Sequence, residues 1–241
     1  IRDLVRSRGL GDVYKRQLTG CAELQTVMQN LPNIEQGNGG LSSLDISNGL
    51  KQALELGVSQ GVDLLSKKNG YYDNNLVKIL LPEQLQKVDK TLRQIGLGSL
   101  ADQGIKLLNT AAEDAVNEAK PIFINAIKNL TFSDAAAILA GNKDAATQYL
   151  QKTTTSQLVN AFSPKIKASL DKVGANEIWS QIMSKYNAIP FVNQVNADLT
   201  GYVTEKAIDG LFLQVAKKEE DIRTNISART TPLLQKVFSK Q

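Results

Sequence analysis

The sequence predicts an all-α protein, a single-domain bundle of roughly nine or ten helices that begins near residue 42. Two observations support this fold class. Apolar residues recur at three- and four-residue spacing from residue 42 almost to the C-terminus, as they do on the buried face of a helix. Most of these periodic segments lie between helix start signals and helix stop signals. We find no convincing alternation of polar and apolar residues that would predict a strand.

The first predicted helix opens at a capping box, Ser42-x-x-Asp45, in which the two side chains bond each other's backbone N–H groups. Its apolar face comprises Ile46, Leu50, Ala53, Leu54, Val58, Val62 and Leu65. The segment KKNGYYDNN (67–75) interrupts the pattern. This segment lacks the ligand spacing of a calcium loop, so we expect a plain turn there.

Pro82 suits the first turn of a second helix, which Gly96 is placed to end. The apolar face of that helix comprises Leu85, Val88, Leu92 and Ile95. A second capping pattern, Ser99-x-x-Asp102, predicts the start of the next helix. Pro121 then has to break or kink the chain, because proline cannot donate a helical hydrogen bond.

The pattern Thr131-x-x-Asp134 predicts a capped short helix that ends at Gly141. Residues 143–162 continue as another amphipathic helix. Pro164 is expected to start a separate helix after it, because proline is favoured in a first turn and disfavoured in a helix interior.

Gly174 is the predicted end of that helix, and residues 176–186 form a short amphipathic one. The last long helix is predicted over residues 199–223. Thr231 and Pro232 are an N-cap and a first-turn proline, and they predict a short terminal helix.

The charge of the chain argues against a nucleic-acid partner. The sequence has 28 Lys and Arg against 24 Asp and Glu, and residues 1–17 hold five of the bases and two of the acids. The remainder has 23 bases and 22 acids, which is close to neutral, so no electrostatic footprint for DNA or RNA remains.

The segment LTGC (18–21) has the form of a bacterial lipobox, which predicts lipidation at Cys21. A lipobox should follow an apolar signal segment, and residues 1–17 contain no apolar run longer than two residues. The DVYKRQ segment (12–17) is what GATGTGTATAAGAGACAG encodes, which resembles a transposon end used in sequencing libraries. We therefore interpret residues 1–17 as an artefact that replaces a signal peptide. The alternatives are an unusual natural N-terminus and a buried structural cysteine.

Residues 22–41 contain proline and three glycines with little periodic apolarity, which predicts a flexible tether ahead of a helical domain over 42–241. No apolar stretch approaches the ~18–20 residues that span a bilayer. We therefore expect membrane attachment through the lipid at Cys21. Ala22 after the cysteine favours a periplasm-facing outer-membrane lipoprotein.

The chain has no histidine and one cysteine, which removes the commonest general base, the commonest metal ligand and any cysteine-based zinc cluster. We therefore predict no cofactor, no metal and no catalytic residue. Candidate ligand-binding residues are the polar and aromatic side chains of the C-terminal half: Tyr149, Tyr186, Tyr202, Glu219, Arg223, Arg229 and Thr230.

Structural roles compete with that reading of the polar C-terminal segment. Glu219 and Arg223 are spaced as an exposed i,i+4 pair, which contributes only about 0.2–0.5 kcal/mol to a helix. Arg229 could bond carbonyls at a helix end, and Thr231 could cap the final helix.

Four blocks of the chain resemble one bacterial secreted family. They are LPEQLQKV, FINAIKNLTFSDAAAILAGNKDAATQYLQ, DLTGYVTEKAIDGLF and EEDIRTNISARTTPLLQKVF. Together they place residues 42–239 close to the family known as domain of unknown function 4197. The resemblance implies an envelope protein with a helical domain. It implies no activity and no catalytic residues, since the family's function is not established.

The leading hypothesis is a lipid-anchored envelope protein whose helical domain binds a protein partner or a small apolar ligand. The alternative is a histidine-independent envelope enzyme that uses carboxylates, lysine, tyrosine or an oxygen-ligated metal. A purely structural envelope component is the third possibility.

Overall fold

A computed structural model describes residues 42–82, 86, 93–94, 96, 98–188, 190–191, 194 and 198–239. Over these ranges the chain forms eight α-helices, one 3₁₀ turn and no β-strand, so the all-α prediction is confirmed with slightly fewer helices than expected. The helices are α1 (Ser43–Leu65), α2 (Gly98–Val116), α3 (Ala119–Lys128), α4 (Phe132–Ala140), α5 (Ala145–Asp171), α6 (Ala175–Asn187), α7 (Leu199–Thr224) and α8 (Pro232–Val237). The 3₁₀ turn is Ile226–Ala228.

Three long helices, α1, α5 and α7, build the core of the unit Leu41–Gln241. Helix α7 packs against α1, α2, α5 and α6, and α5 packs in addition against α2, α3 and α4. At 1.5 Å per residue, α5 is about 40 Å long, so different neighbours cover its two ends. The apolar face predicted for α1 is buried throughout.

The predicted caps hold at three of the four positions where the sequence placed one. Ser42 accepts from the Asp45 N–H at 3.0 Å and Thr131 accepts from the Asp134 N–H at 3.1 Å, each within a complete capping box. Thr231 caps α8 by accepting from the Leu234 N–H at 3.2 Å. Gly141 follows α4 directly, as predicted.

The fourth predicted cap is wrong. Helix α2 starts at Gly98, so Ser99 lies inside the first turn and does not cap it. Asp102 instead accepts from the Arg93 guanidinium at 2.6 Å, a charge-assisted hydrogen bond. The helix predicted between Pro82 and Gly96 lies largely outside the described residues. Gly96 has φ +81°, the left-handed conformation expected at a helix C′ position.

The prediction of two helices on either side of Pro164 is also wrong, since α5 continues through this proline. Buried residues recur every four positions from one end of α5 to the other, across the proline: Ala146, Leu150, Thr154, Leu158, Phe162, Ile166 and Leu170. A proline in a helix interior costs about 3 kcal/mol. Packing of this continuous buried stripe outweighs that cost, and the proline ring lies on the exposed side.

The remaining helix predictions are confirmed. Helices α6 and α7 match the predicted segments 176–186 and 199–223 to within a residue or two at each end. Residues 67–75 form turns after α1, as expected. Gly174, with φ +67°, lies in the turn after α5.

Candidate functional site

A groove of about 810 Å³ lies between α7 and the non-helical run of residues 76–82. We call it the α7 groove. Its apolar lining is Leu76, Val77, Ile79, Leu80, Leu81, Pro82, Trp179 and Leu213, and its polar lining is Lys78, Gln86, Tyr202, Glu205, Lys206 and Asp209, with Gly201 and Gly210 completing the helix face.

The run beside the groove is an extended segment that packs against helices. Residues 78–82 have no helix, turn or bend. Ile79 is buried and Leu80 is 51% exposed, so successive side chains of this extended segment lie on opposite faces, as in a strand. Gly210 of α7 allows the close approach, because a Cβ there would lie 3.0 Å from the Val77 Cβ.

Asn109, which is fully buried on α2, hydrogen-bonds the backbone of the run from one side. Its Oδ1 accepts from the Ile79 N–H at 2.8 Å, and its Nδ2 donates to the Ile79 carbonyl at 2.8 Å. The amide therefore satisfies both backbone groups of one residue, as a neighbouring strand would do. Asn109 Nδ2 also donates to the Ile105 carbonyl at 2.7 Å.

Glu113, one helical turn further along α2, holds the turn that precedes the run. Its buried carboxylate accepts backbone N–H bonds from Asn69 at 3.1 Å, Tyr71 at 3.2 Å and Tyr72 at 3.4 Å. Tyr71 is fully buried and its hydroxyl donates to the Ala207 carbonyl of α7 at 2.8 Å. Burial raises the pKa of the Tyr71 hydroxyl, and the Glu113 carboxylate raises it further, so this donor stays protonated.

Two aromatic side chains, Tyr202 and Trp179, line the groove. The Tyr202 hydroxyl donates to the Leu80 carbonyl at 2.9 Å, and its pKa is raised by burial and then by the Glu205 carboxylate. Trp179 is buried on α6, and its indole N–H has no hydrogen-bond acceptor among the described residues. A buried donor without an acceptor is uncommon in folded proteins and costs about 1–3 kcal/mol.

The two lysines that line the groove already have partners, one an aromatic ring and the other two carboxylates. Lys78 Nζ lies 3.8 Å from the centroid of the Tyr72 ring, which is cation–π distance. Lys206 Nζ lies 3.8 Å from Glu205 and 3.6 Å from Asp209. Among the lining residues that the structure describes, the groove thus presents two cations and two anions.

Glu219 and Arg223 form a separate, buried polar cluster, so the expectation of an exposed pair is wrong. Both side chains are 7% exposed, and Arg223 Nη2 lies 2.9 Å from Glu219 Oε1. The Glu219 carboxylate caps the start of α5, accepting from the N–H groups of Ala146 at 2.9 Å and Thr147 at 2.8 Å. The α5 N-cap residue, Asp144, makes no side-chain cap of its own.

Arg223 and Arg229 each donate hydrogen bonds to backbone carbonyls at the C-terminal end of a helix. Arg223 donates to the Ile138 carbonyl at the end of α4 at 2.8 Å. Arg229 donates to the Ile222 and Arg223 carbonyls at the end of α7 at 2.9 and 2.7 Å. The structural alternative for Arg229 is therefore confirmed. Glu219 and Arg223 line a cavity of about 20 Å³, which has room for a single water.

The structure does not gather the candidate ligand-binding residues in one place. Tyr202 lines the α7 groove, whereas Glu219 and Arg223 line the small cavity. Tyr149 is half-buried on α5, and burial raises the pKa of its hydroxyl, followed by the Asp134 carboxylate.

The other predicted site residues contribute less. Thr230 is exposed after the 3₁₀ turn and donates its N–H to the Ala228 carbonyl at 3.1 Å. Tyr186 belongs to α6, but its side chain lies outside the described residues, as do Cys21 and the lipobox.

Sequence reasoning missed Asn109, Glu113 and Trp179, the residues that shape and line the groove. The alternating run is only about five residues long, too short for a strand signal. The available signal was that Trp179 is the only tryptophan in the chain.

The described residues contain no group of three or more Cys, Asp and Glu side chains that could hold a metal ion. None of the described helices alone is long and apolar enough to cross a membrane; α3 and α4 pass that test only as a pair, bent by 105°.

Comparison with known proteins identifies one family. The family model described as "Protein of unknown function (DUF4197)" matches residues 40–239, which confirms the resemblance inferred from the four sequence blocks. No curated protein and no solved structure matches the chain.

Proposed function

The chain belongs to the DUF4197 family of proteins of unknown function, and from that premise we propose that it is a lipid-anchored bacterial envelope protein. In this proposal its helical domain binds a small apolar ligand, or an apolar segment of a partner, in the α7 groove. The lipid at Cys21 holds the protein at the periplasmic face of the outer membrane, and residues 22–41 connect it to the domain.

The α7 groove is the observation that carries the binding proposal. Ligand sites are concave, measure about 300–1,000 Å³ and combine apolar walls with a few polar groups. The groove has this size, and its three exposed leucines, Leu76, Leu80 and Leu213, are 56%, 51% and 43% exposed. Scattered exposed leucines are ordinary, but three of them around one concavity with a tryptophan support the proposal of a binding surface.

The leucines also set the scale of the interaction. Fully burying a leucine side chain contributes about 1.5–3 kcal/mol, so covering a half-exposed one contributes about 1 kcal/mol. Three such side chains contribute about 3 kcal/mol before the costs of association. This contribution alone corresponds to a Kd weaker than about 1 mM, so other lining contacts and retention at the membrane surface must add to it.

Fluorescence of the single tryptophan tests the binding proposal, because Trp179 lines the groove. We expect the apolar dye N-phenyl-1-naphthylamine to accept energy from Trp179 and to bind the chain saturably. Leu80→Asp and Leu213→Asp should abolish that transfer. Leu44→Asp is the matched control, because Leu44 is 73% exposed on α1 and does not line the groove. Equal transfer in all four proteins would remove the groove from the proposal.

The anchor is tested separately in cells. A lipoprotein carries more than one acyl chain, and two or more chains hold a protein stably at a membrane where one does not. We expect labelled palmitate to enter the chain expressed with a functional signal peptide, and Cys21→Ser to abolish both labelling and membrane retention. An unlabelled chain, or a Cys21→Ser variant that stays membrane-bound, would refute the anchor.

A further inference from the structure

We infer that the occupant of the α7 groove is an extended peptide segment with apolar side chains, whose main chain pairs with the outer edge of residues 78–80. This inference rests on the proposed function, because it names the chemical class of ligand for the same groove. Its support is the hydrogen-bonding state of the run beside α7 and the charges of the described lining residues.

The direction of the backbone groups follows from Asn109. In an extended chain the N–H and C=O of one residue point to one edge, and those of its two neighbours point to the other. Both groups of Ile79 bond Asn109 on α2, so the carbonyl of Lys78 and the backbone groups of Leu80 point to the opposite edge. The Tyr202 hydroxyl, which reaches the Leu80 carbonyl from α7, shows that this outer edge faces the groove.

Part of the outer edge is unpaired. The Lys78 carbonyl and the Leu80 N–H have no hydrogen-bond partner among the described residues. A carbonyl acceptor next to an N–H donor is what an open strand edge offers to an incoming chain. Peptide ligands use such edges by adding a strand, with the main chain supplying the bonds and alternate side chains supplying the specificity.

The charges favour a neutral ligand over an anionic amphiphile. Lys206 is held by Glu205 and Asp209, and Lys78 stacks on Tyr72. A fatty acid or a phosphate head group would need a cation that is not already compensated, and among the described lining residues both lysines are engaged. A peptide main chain is neutral and carries both donors and acceptors, so it complements the free groups without a charge partner.

The dimensions set the length of the probe. At about 3.3 Å per residue, the extended residues 78–82 cover roughly 16 Å, so a heptapeptide is long enough to pair with them and to reach past both ends. The exposed side chains of Leu76 and Leu80 project from the run, and Leu213 lies on α7. Apolar side chains at alternate positions of such a peptide would lie against them.

The test uses a pool of acetylated, amidated heptapeptides with Val, Leu, Ile or Phe at odd positions and Thr at even ones. We expect the full chain and Leu44→Asp to retain members of the pool, and Leu80→Asp to retain none. Retained peptides should perturb the emission of Trp179. Two N-methylated versions of the best peptide, methylated at odd or at even positions, then separate edge pairing from apolar contact.

Only one edge of the peptide can pair with the outer edge of the run. One methylated isomer should therefore lose roughly ten-fold or more in affinity, while the other changes less than about three-fold. Equal effects of the two methylations, or no retained peptide, would overturn the inference.

The same experiment separates this inference from the proposed function. If laurate displaces the apolar dye from the groove and no peptide does, the occupant is an amphiphile and the peptide inference fails, while the proposed groove function stands. If the dye itself does not bind in a Leu80-dependent way, the proposed function fails.

Discussion

Replacing Glu219 by alanine should destabilise the domain strongly, although Glu219 lies one residue from a surface glutamate that should tolerate the same change. The Glu219 carboxylate accepts five hydrogen bonds: the N–H groups of Ala146 and Thr147, the Thr147 hydroxyl, and Arg223 Nε and Nη2. Its removal leaves a guanidinium that is 7% exposed without its carboxylate, and it uncaps α5.

The magnitude follows from that arrangement. Removing one partner of a buried ion pair costs about 3–5 kcal/mol, mostly because the remaining charge stays buried. For a domain of 150–250 residues, each kcal/mol corresponds to about 2–4 °C in Tm, so Glu219→Ala should lower Tm by about 6–20 °C. Glu220 is the matched control: it pairs with Lys143 at 2.9 Å, but these side chains are 45% and 69% exposed. Glu220→Ala should change stability by less than about 1 kcal/mol.

Thermal and urea unfolding, followed by far-ultraviolet circular dichroism, measures both variants. The double variant Glu219→Leu/Arg223→Met should lose less stability than the sum of the two single variants, because replacing both charges leaves neither buried alone. A Glu219→Ala variant no less stable than Glu220→Ala would show that the buried pair contributes nothing, and the reasoning would fail. An additive double variant would contradict the proposed coupling between the two side chains.

Three other predictions follow from single contacts. Gly104→Ala should stabilise α2 by about 0.5–1 kcal/mol, because its Cβ would meet nothing within 4 Å. Gly49→Ala should instead destabilise the domain, because its Cβ would lie 2.5 Å from a valine methyl of α8. The midpoint of urea unfolding measures both effects. The Arg93 guanidinium lowers the pKa of Asp102. The stabilisation of the folded domain by this pair is therefore present above the pKa of Asp102 in the unfolded chain, and it is lost as pH falls through the pKa of the folded state. Arg93→Ala should raise the Asp102 pKa in an NMR titration. Asn109→Leu removes the hydrogen-bond partner of both Ile79 backbone groups. It should lower the free energy of unfolding in urea by about 1–3 kcal/mol and abolish energy transfer to the groove dye. Unchanged dye binding would show that Asn109 does not hold the groove open.

The helices were predictable because each depends on signals within a few residues. Periodic apolar residues define α1 and α7, and the capping boxes at Ser42 and Thr131 are read directly from spacing. Pro164 misled the prediction because local propensity and tertiary packing disagree there. The cost of an interior proline is local, while the benefit of the stripe along α5 depends on neighbouring helices that a sequence window does not contain.

The groove was not predictable because it depends on contacts between residues that are far apart in the sequence. Asn109 contacts Ile79 across 30 residues, and Glu113 contacts the 69–72 turn across more than 40. A buried Asn and a buried Glu look, in sequence, like any polar residue on an exposed helix face. The polar cluster at Glu219 was misjudged because its partner helices, α4 and α5, come together with α7 only in the folded chain.

The same polar contacts explain why the groove exists as an open feature. A non-helical run packed on helices must satisfy its buried backbone groups, and here α2 does so with the side chains of Asn109 and Glu113. These contacts fix the inner edge of the run, and its outer edge faces α7, where Tyr202 bonds only the Leu80 carbonyl. An incoming peptide exchanges water for the remaining bonds at little net gain, about 0.5–1.5 kcal/mol each. Affinity should therefore depend mainly on the leucines, while the main-chain bonds set the direction and register of the ligand.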